Sequence, residues 1–322
     1  MWIIKSEEET DSNYGKNPRE RTIDELIKGS VIILDKHPGP TSHQVTAWVK
    51  DIFGVNKCGH SGTLDPAVTG VLPIALENAT KAMPVLMGLD KEYVGVMHLH
   101  KEVEEQMLKE AVANFIGKIV QIPPVRSAVA RRPREREIKF FDILEIDGKD
   151  VLFKVGCEAG TYIRKLVHDI GQELKIGAHM SGLRRTKAGN FTEDQSHSLV
   201  FVKDAYEFWK EGNEKLLREI LIPVEFAILH VKRIFVKDSA IDPICHGAPV
   251  FVSGVCRIQK DIVRGETVAV YSLKEELVAL GIAKMSSEEM GKKSKGVAIR
   301  TDRVFMEKGV YPQASKKSNQ SF

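Results

Sequence analysis

Between His60 and Leu76 the chain reads "HSGTLDPAVTGVLPIAL", a run of small and apolar residues around one acid, Asp65. Pro66 follows directly, which steers Asp65 away from helical dihedrals and presents it from an extended loop. A lone carboxylate so placed can act as a nucleophile on carbon or as a general base. It can equally serve architecture alone, closing an Asx turn or capping a helix. The stretch holds no second acid, cysteine or lysine, and the run "VLPIAL" behind it reads as a buried strand, a rigid support.

A second concentration of chemistry is Val125–Lys139, "VRSAVARRPREREIK", with six basic residues against two acids. It has little apolar periodicity and reads as a loop. Guanidinium groups fork onto phosphates, so Arg126, Arg131, Arg132, Arg134 and Arg136 are candidate RNA contacts, with a solvated loop as the alternative. "LRRTK" adds Arg184 and Arg185. The whole chain of 322 residues carries only +3, so a polyanion would be met by these clusters and not by bulk charge. Cys58, Cys157, Cys245 and Cys256 are too scattered for a zinc site or disulfide framework, so they read as reduced core residues and no metal is expected. The first thirty residues lack an apolar signal core, and no run of eighteen apolar residues occurs. A cytosolic-type protein without a membrane span is expected.

The elements that must position these groups follow from periodicity. "VIILDK" reads as a buried strand, and Thr41 with Gln44 as a capping box. The helix it opens carries Val45, Trp48, Val49, Ile52 and Phe53 on one face. Residues 104–116 read as an amphipathic helix. "FFDILEIDGKDVLFKVGC" alternates about an Asp147-Gly148 hairpin turn, and the next helix buries Ile163, Leu166, Val167, Ile170 and Leu174. Strands and helices interleave without strict βαβ order, so the fold class is α+β, a mixed, largely antiparallel sheet flanked by helices. From Lys232 onward, short strand runs punctuated by glycines suggest a separate small β-barrel, and the tail reads as disordered. The domain expectation is a 1–30 extension packing on the barrel, a 31–223 catalytic domain, a 232–307 barrel and a disordered 313–322 tail.

"LDKHPGPTSHQV", "GHSGTLDPAVTGVLPIALENATK", "KEYVGVMHLH", "AGTYIRKLVHDIG" and "GAHMSGLRRTKAG" occur in the order found in TruB-type pseudouridine synthases, which the chain resembles in their dyskerin-like branch. "HGAPVFVSGV" and the segment from "RGETVAVYSL" resemble a PUA domain. The resemblance spans roughly residues 30 to 305, with His37 standing where the family usually has proline. It implies isomerisation of uridine to pseudouridine, which gains and loses no atoms and so calls for no redox cofactor or metal. It implies catalytic roles for Asp65, for Tyr93 stacked on the base, and for Arg164, whose guanidinium favours an ionised carboxylate beside it. His60 and Leu183 would border the base, Lys36 would support the site, and the 125–139 segment would be a mobile thumb.

By the same resemblance the partners are an H/ACA guide RNA, substrate rRNA or tRNA, a small zinc-ribbon-type protein, a small Gly/Arg-family β-barrel protein and a kink-turn-binding ribosomal-like protein. The short tails favour an archaeal, cytoplasmic particle over a nucleolar one. Gly247, in "CHGAP", is expected to let RNA approach the barrel's main chain. Two other readings stay open: a stand-alone enzyme acting on the tRNA T-loop, and a non-catalytic RNA scaffold. The acid, tyrosine and arginine together argue against the scaffold.

Overall fold

The computed structural model describes residues 1–123 and 130–313, and the chain divides into two units. Residues 32–76 and 83–220 form one; residues 1–31, 77–82 and those from 221 onward form the other. Arg126 and the tail from residue 314 lie outside the described residues.

In the unit that carries Asp65, the sheet runs Ser30–Lys36, Thr69–Leu76, Ala178–Ala188, Lys91–Leu99, Asp150–Cys157, Arg134–Asp147, Gly117–Gln121. Thr69–Leu76 and Ala178–Ala188 pair in parallel, and every pairing from Ala178–Ala188 out to Gly117–Gln121 is antiparallel. The parallel pair is tight. A Cβ on Gly70 would stand 2.2 Å from the Arg185 carbonyl oxygen, so only glycine fits there, at φ +103°. Thr41 and Gln44 do form the capping box of helix Ser42–Phe53. The turn after Asp147 uses Gly148 at φ +55°. Helix Ile163–Glu173 buries the expected stripe, with Gly171 in place of Leu174, which is only half-buried.

Two expectations change. The amphipathic helix is shorter than 104–116, spanning Glu105–Ala113. The basic segment is not loop throughout, because strand Arg134–Asp147 already begins within it and pairs with Gly117–Gln121.

The other unit is built on a seven-stranded sheet in the order Trp2–Ile4, Val255–Gln259, Lys232–Val236, Thr267–Tyr271, Leu277–Ala283, Val297–Val304, Val250–Phe251. Ile234, Ile258, Val270, Val278 and Ile299 fill its core. The start of the chain is integral to this unit. Trp2 pairs with Gln259 and meets the Phe235 ring edge-on at 5.5 Å, while Thr10 donates to Asp238 at 3.0 Å. Two helices, Asp238–Cys245 and Ser287–Lys292, interrupt what the sequence presents as strands alone. No helix among the described residues is long and apolar enough to cross a membrane.

Candidate active site

The Asp65 loop is pinned from beneath. The Lys36 side chain is fully buried, and its ammonium donates to the carbonyls of His37 (3.0 Å), Pro66 (3.0 Å) and Val68 (2.9 Å). Burial lowers the Lys36 pKa, and the Asp65 charge works against that fall. From helix Ser42–Phe53, the Ser42 hydroxyl accepts from the Leu64 amide at 2.8 Å and donates to the Leu64 carbonyl at 3.1 Å. Leu64 and Val68 anchor the loop in the core, 3% and 4% exposed. Between those anchors the Asp65 carboxylate emerges half-exposed, where Arg164 from the first turn of helix Ile163–Glu173 forms an ion pair with it. His37, the departure from the family motif, stacks on Trp48 at 6.4 Å.

Tyr93 lies on the buried face of strand Lys91–Leu99, whose side chains alternate strictly between core and surface. Arg185 pairs with it across the antiparallel strands, and both side chains are buried. Burial pushes the phenol pKa up, and the Arg185 charge opposes that rise. His60 is held neutral, its pKa lowered to about 4 by burial and then by His43 and Arg185. It meets His43 edge-on at 4.9 Å, and its buried Nδ1 has no hydrogen-bond partner among the described residues. Leu183, half-buried, faces Gly95, where a Cβ would come within 2.8 Å of the leucine Cδ1. The structure therefore places Asp65, Arg164, Tyr93, His60, Leu183 and Lys36 in one unit, with Asp65 and Arg164 in direct contact.

The basic clusters divide. Arg131 and Arg132 are exposed, and Arg131 donates to the Pro123 carbonyl at 3.3 Å. Arg134 and Arg136 are half-buried, and the Arg136 guanidinium covers Gly160, 3.0 Å from where a Cβ would stand. The pair Arg184–Arg185 departs from the expectation of RNA contact. Arg184 is engaged by both oxygens of Asp35 (2.9 and 3.1 Å) and by Glu193. Arg185 is 1% exposed and cannot reach a phosphate. Successive strand residues point to opposite faces, so one arginine of the two had to turn inward. Gly247 adopts φ +89° with open space where its Cβ would be; the turn geometry alone accounts for glycine there.

Sequence reasoning missed two residues of the site's floor, Arg185 in that role and Lys91. Lys91 is 7% exposed, donates to the carbonyls of Met87 (2.7 Å) and Leu89, and has its pKa lowered to about 8 by burial and then by Arg185. The signal was available: in "KEYVGVMHL" Lys91 shares the parity of Tyr93, Met97 and Leu99.

Residues 50–163 match the TruB family pseudouridylate synthase N-terminal domain, and residues 164–229 the tRNA pseudouridylate synthase B C-terminal domain. The chain is 55% identical over 313 residues to the probable tRNA pseudouridine synthase B of Methanopyrus kandleri, covering 97% of this chain and 93% of that one. The chain belongs to the TruB family of pseudouridine synthases. A second relative with the same description, from Methanocaldococcus jannaschii, is 51% identical over 316 residues, 98% of this chain and 94% of that one. Residues 1–46 of this TruB-family enzyme match a DKCLD domain and residues 232–305 a PUA domain. Its fold is similar to a chain in the crystal structure of a Cbf5–Nop10–Gar1 complex, with a TM-score of 0.91, 48% identity and coverage of 97% and 96%. A chain in an H/ACA RNP bound to a substrate RNA containing 2′-deoxyuridine gives 0.91 at 46% identity, covering 98% and 97%.

Proposed function

We propose that this TruB-family synthase isomerises uridine in ribosomal RNA, and in tRNA, as the catalytic subunit of an H/ACA guide-RNA particle. Four changes make up the reaction. The C1′–N1 bond breaks, a C1′–C5 bond forms, the C5 proton leaves and N1 gains a proton. Asp65 initiates the first of these, by attack on the sugar or on the base, and must be ionised to do so. The observation that carries this reading is the Asp65–Arg164 ion pair, half-exposed on a loop that Lys36 and Ser42 hold rigid from below. Arg164 keeps a positive charge against the carboxylate while leaving it open to substrate. Tyr93 would stack on the extruded base, returning about 1–3 kcal/mol of the unstacking cost. His60 and Leu183 would border the space the base occupies.

The guided reading is supported by similarity across nearly the whole chain to chains from a Cbf5–Nop10–Gar1 complex and from an H/ACA RNP. On this reading the protein partners are the zinc-ribbon-type, Gly/Arg-family β-barrel and kink-turn-binding proteins, and the unit containing residues 232–305 anchors the guide. The exposed Arg131 and Arg132 grip the RNA backbone. A reconstituted particle tests this. Pseudouridine should form in a guide-matched RNA only when the guide is present. Equal turnover of a tRNA T-loop by the chain alone would favour the stand-alone alternative, which the tRNA synthase descriptions of its relatives keep in view.

A further inference from the structure

Arg185 is a buried cation without a counter-charge. At 1% exposure it has no carboxylate ion-paired with it among the described residues, whereas its neighbour Arg184 is paired with both Asp35 and Glu193. Its Nε donates to the Val71 carbonyl at 2.7 Å and one terminal nitrogen to the Gly62 carbonyl at 3.2 Å, and it stands directly opposite Tyr93 across the antiparallel strands. It thereby ties the strand behind the Asp65 loop to the loop itself, beside the tyrosine. A second buried cation, Lys91, lies close by; its Cε and an Arg185 terminal nitrogen are 4.0 and 3.5 Å from the point where a Cβ on Gly62 would stand. Burying a guanidinium without a counter-ion is costly, and a hydrophobic residue could fill the volume at lower cost. The arrangement makes sense where negative charge develops during the reaction.

We propose that Arg185 is a positioning residue for the isomerisation, fixing a positive charge beside Tyr93 so that the phenol oxygen takes the proton leaving C5. The proposal rests on the reading that Tyr93 faces the detached base. The balance is simple. As the C1′–C5 bond forms, C5 is left with one hydrogen too many. The Tyr93 oxygen accepts that proton after its own has passed to solvent, and N1, left with the electron pair of the broken bond, is protonated. Burial works against an ionised phenol, and the fixed guanidinium works in its favour. A neutral side chain of similar reach would keep the shape and lose that effect.

The experiment uses the full-length chain, assembled with its guide and protein partners, on RNA tritiated at C5 of the target uridine. In Arg185→Gln, single-turnover tritium release should slow on the order of 10²-fold, the lower end of what general-base steps contribute. RNA affinity should stay within about twofold. The rising arm of the pH–rate profile, set by ionisation of the phenol, should move to higher pH, and Arg185→Lys, which keeps the cation, should recover most of the rate. In a Tyr93→Phe background, Arg185→Gln should add no further loss. Release at the wild-type rate in Arg185→Gln overturns the proposal, and so does an equal loss in both backgrounds, which marks a purely structural role. If Tyr93→Phe alone leaves release unchanged, the underlying reading of Tyr93 fails instead. If the glutamine variant does not fold, Arg185→Met, which fills the volume without the charge, carries the same cycle in the two backgrounds. A methionine variant that loses no rate, or that loses it equally in both backgrounds, overturns the proposal.

Discussion

The two units of this enzyme handle buried charge in opposite ways. In the unit containing residues 232–305, the buried charged groups among the described residues are carboxylates with donors in place. Glu225, 3% exposed, takes Arg21 at 2.8 and 3.1 Å and the Leu277 amide at 3.0 Å; Glu276 accepts from Ser272 at 2.9 Å and Tyr311 at 2.6 Å. In the unit that holds Asp65, the buried charges are cations: Lys36, Lys91 and Arg185. Among the described residues none of them has a carboxylate partner in an ion pair; their hydrogen bonds go to main-chain carbonyls. A fold that only had to be stable would use the first arrangement throughout. The second keeps positive potential fixed around one half-exposed acid, which is the pattern expected where charge moves during catalysis.

The most severe way to break the contrast is to discharge the acid itself. Asp65→Asn keeps the loop's shape, so RNA affinity should hold while the single-turnover rate falls by on the order of 10³-fold or more. A comparable rate in the asparagine variant would remove Asp65 from the mechanism. Next comes the loop's support. Lys36→Met leaves the carbonyls of His37 and Val68 without their donor, for a loss of about 2–3 kcal/mol in a urea titration, accompanied by loss of activity. Pro66 keeps the Gly39 amide as a second donor at 2.9 Å, which holds the effect to that size.

Acid titration sharpens the comparison at one residue. His60 has its pKa lowered from 6.5 to about 4, so the unfolded chain binds a proton before the folded one does. Its contribution is complete above pH 6.5 and is lost as pH falls through about 4; with the ring only partly buried, solvent screening holds it below the roughly 3 kcal/mol of the full shift. His60→Gln should flatten this part of the pH–stability curve; an unchanged curve would show that the histidine is solvated. The smallest effect belongs to the exposed arginines. Replacing Arg131 and Arg132 by Gln should reduce the salt dependence of RNA binding by about 0.7–0.9 log units of slope for each. Doing the same to Arg184 should leave the slope alone, since its charge is already spent on Asp35 and Glu193.

The sequence made some of this plain and hid the rest for identifiable reasons. Asp65 drew notice as a lone acid ahead of Pro66 and an apolar strand, and the resemblance to TruB-type synthases separated it from an Asx turn or a helix cap. The Thr41–Gln44 box and the Gly148 turn were legible because each depends on contacts a few residues apart. Arg184 and Arg185 were not separable, because alternation says that one turns inward and gives no sign which. Lys91 was passed over because a lysine is normally at the surface, although its strand parity pointed inside. The helix Asp238–Cys245 carries Pro243 within it and no side-chain cap, so nothing local announced it.

The Asp65–Arg164 pair also has a consequence for how the enzyme is made. Its partners stand 99 residues apart in sequence, and the parallel pairing that seats the loop's far end joins Gly70 to Arg185. During synthesis the chain emerges from its amino terminus, so the loop, Lys36 and Ser42 are all available long before the guanidinium. A nascent or prematurely terminated chain that stops short of the helix Ile163–Glu173 has the acid and neither Arg164 nor Arg185. On the proposed role of Asp65, activity is expected only once that long-range pairing has closed, and amino-terminal fragments are expected to be inert.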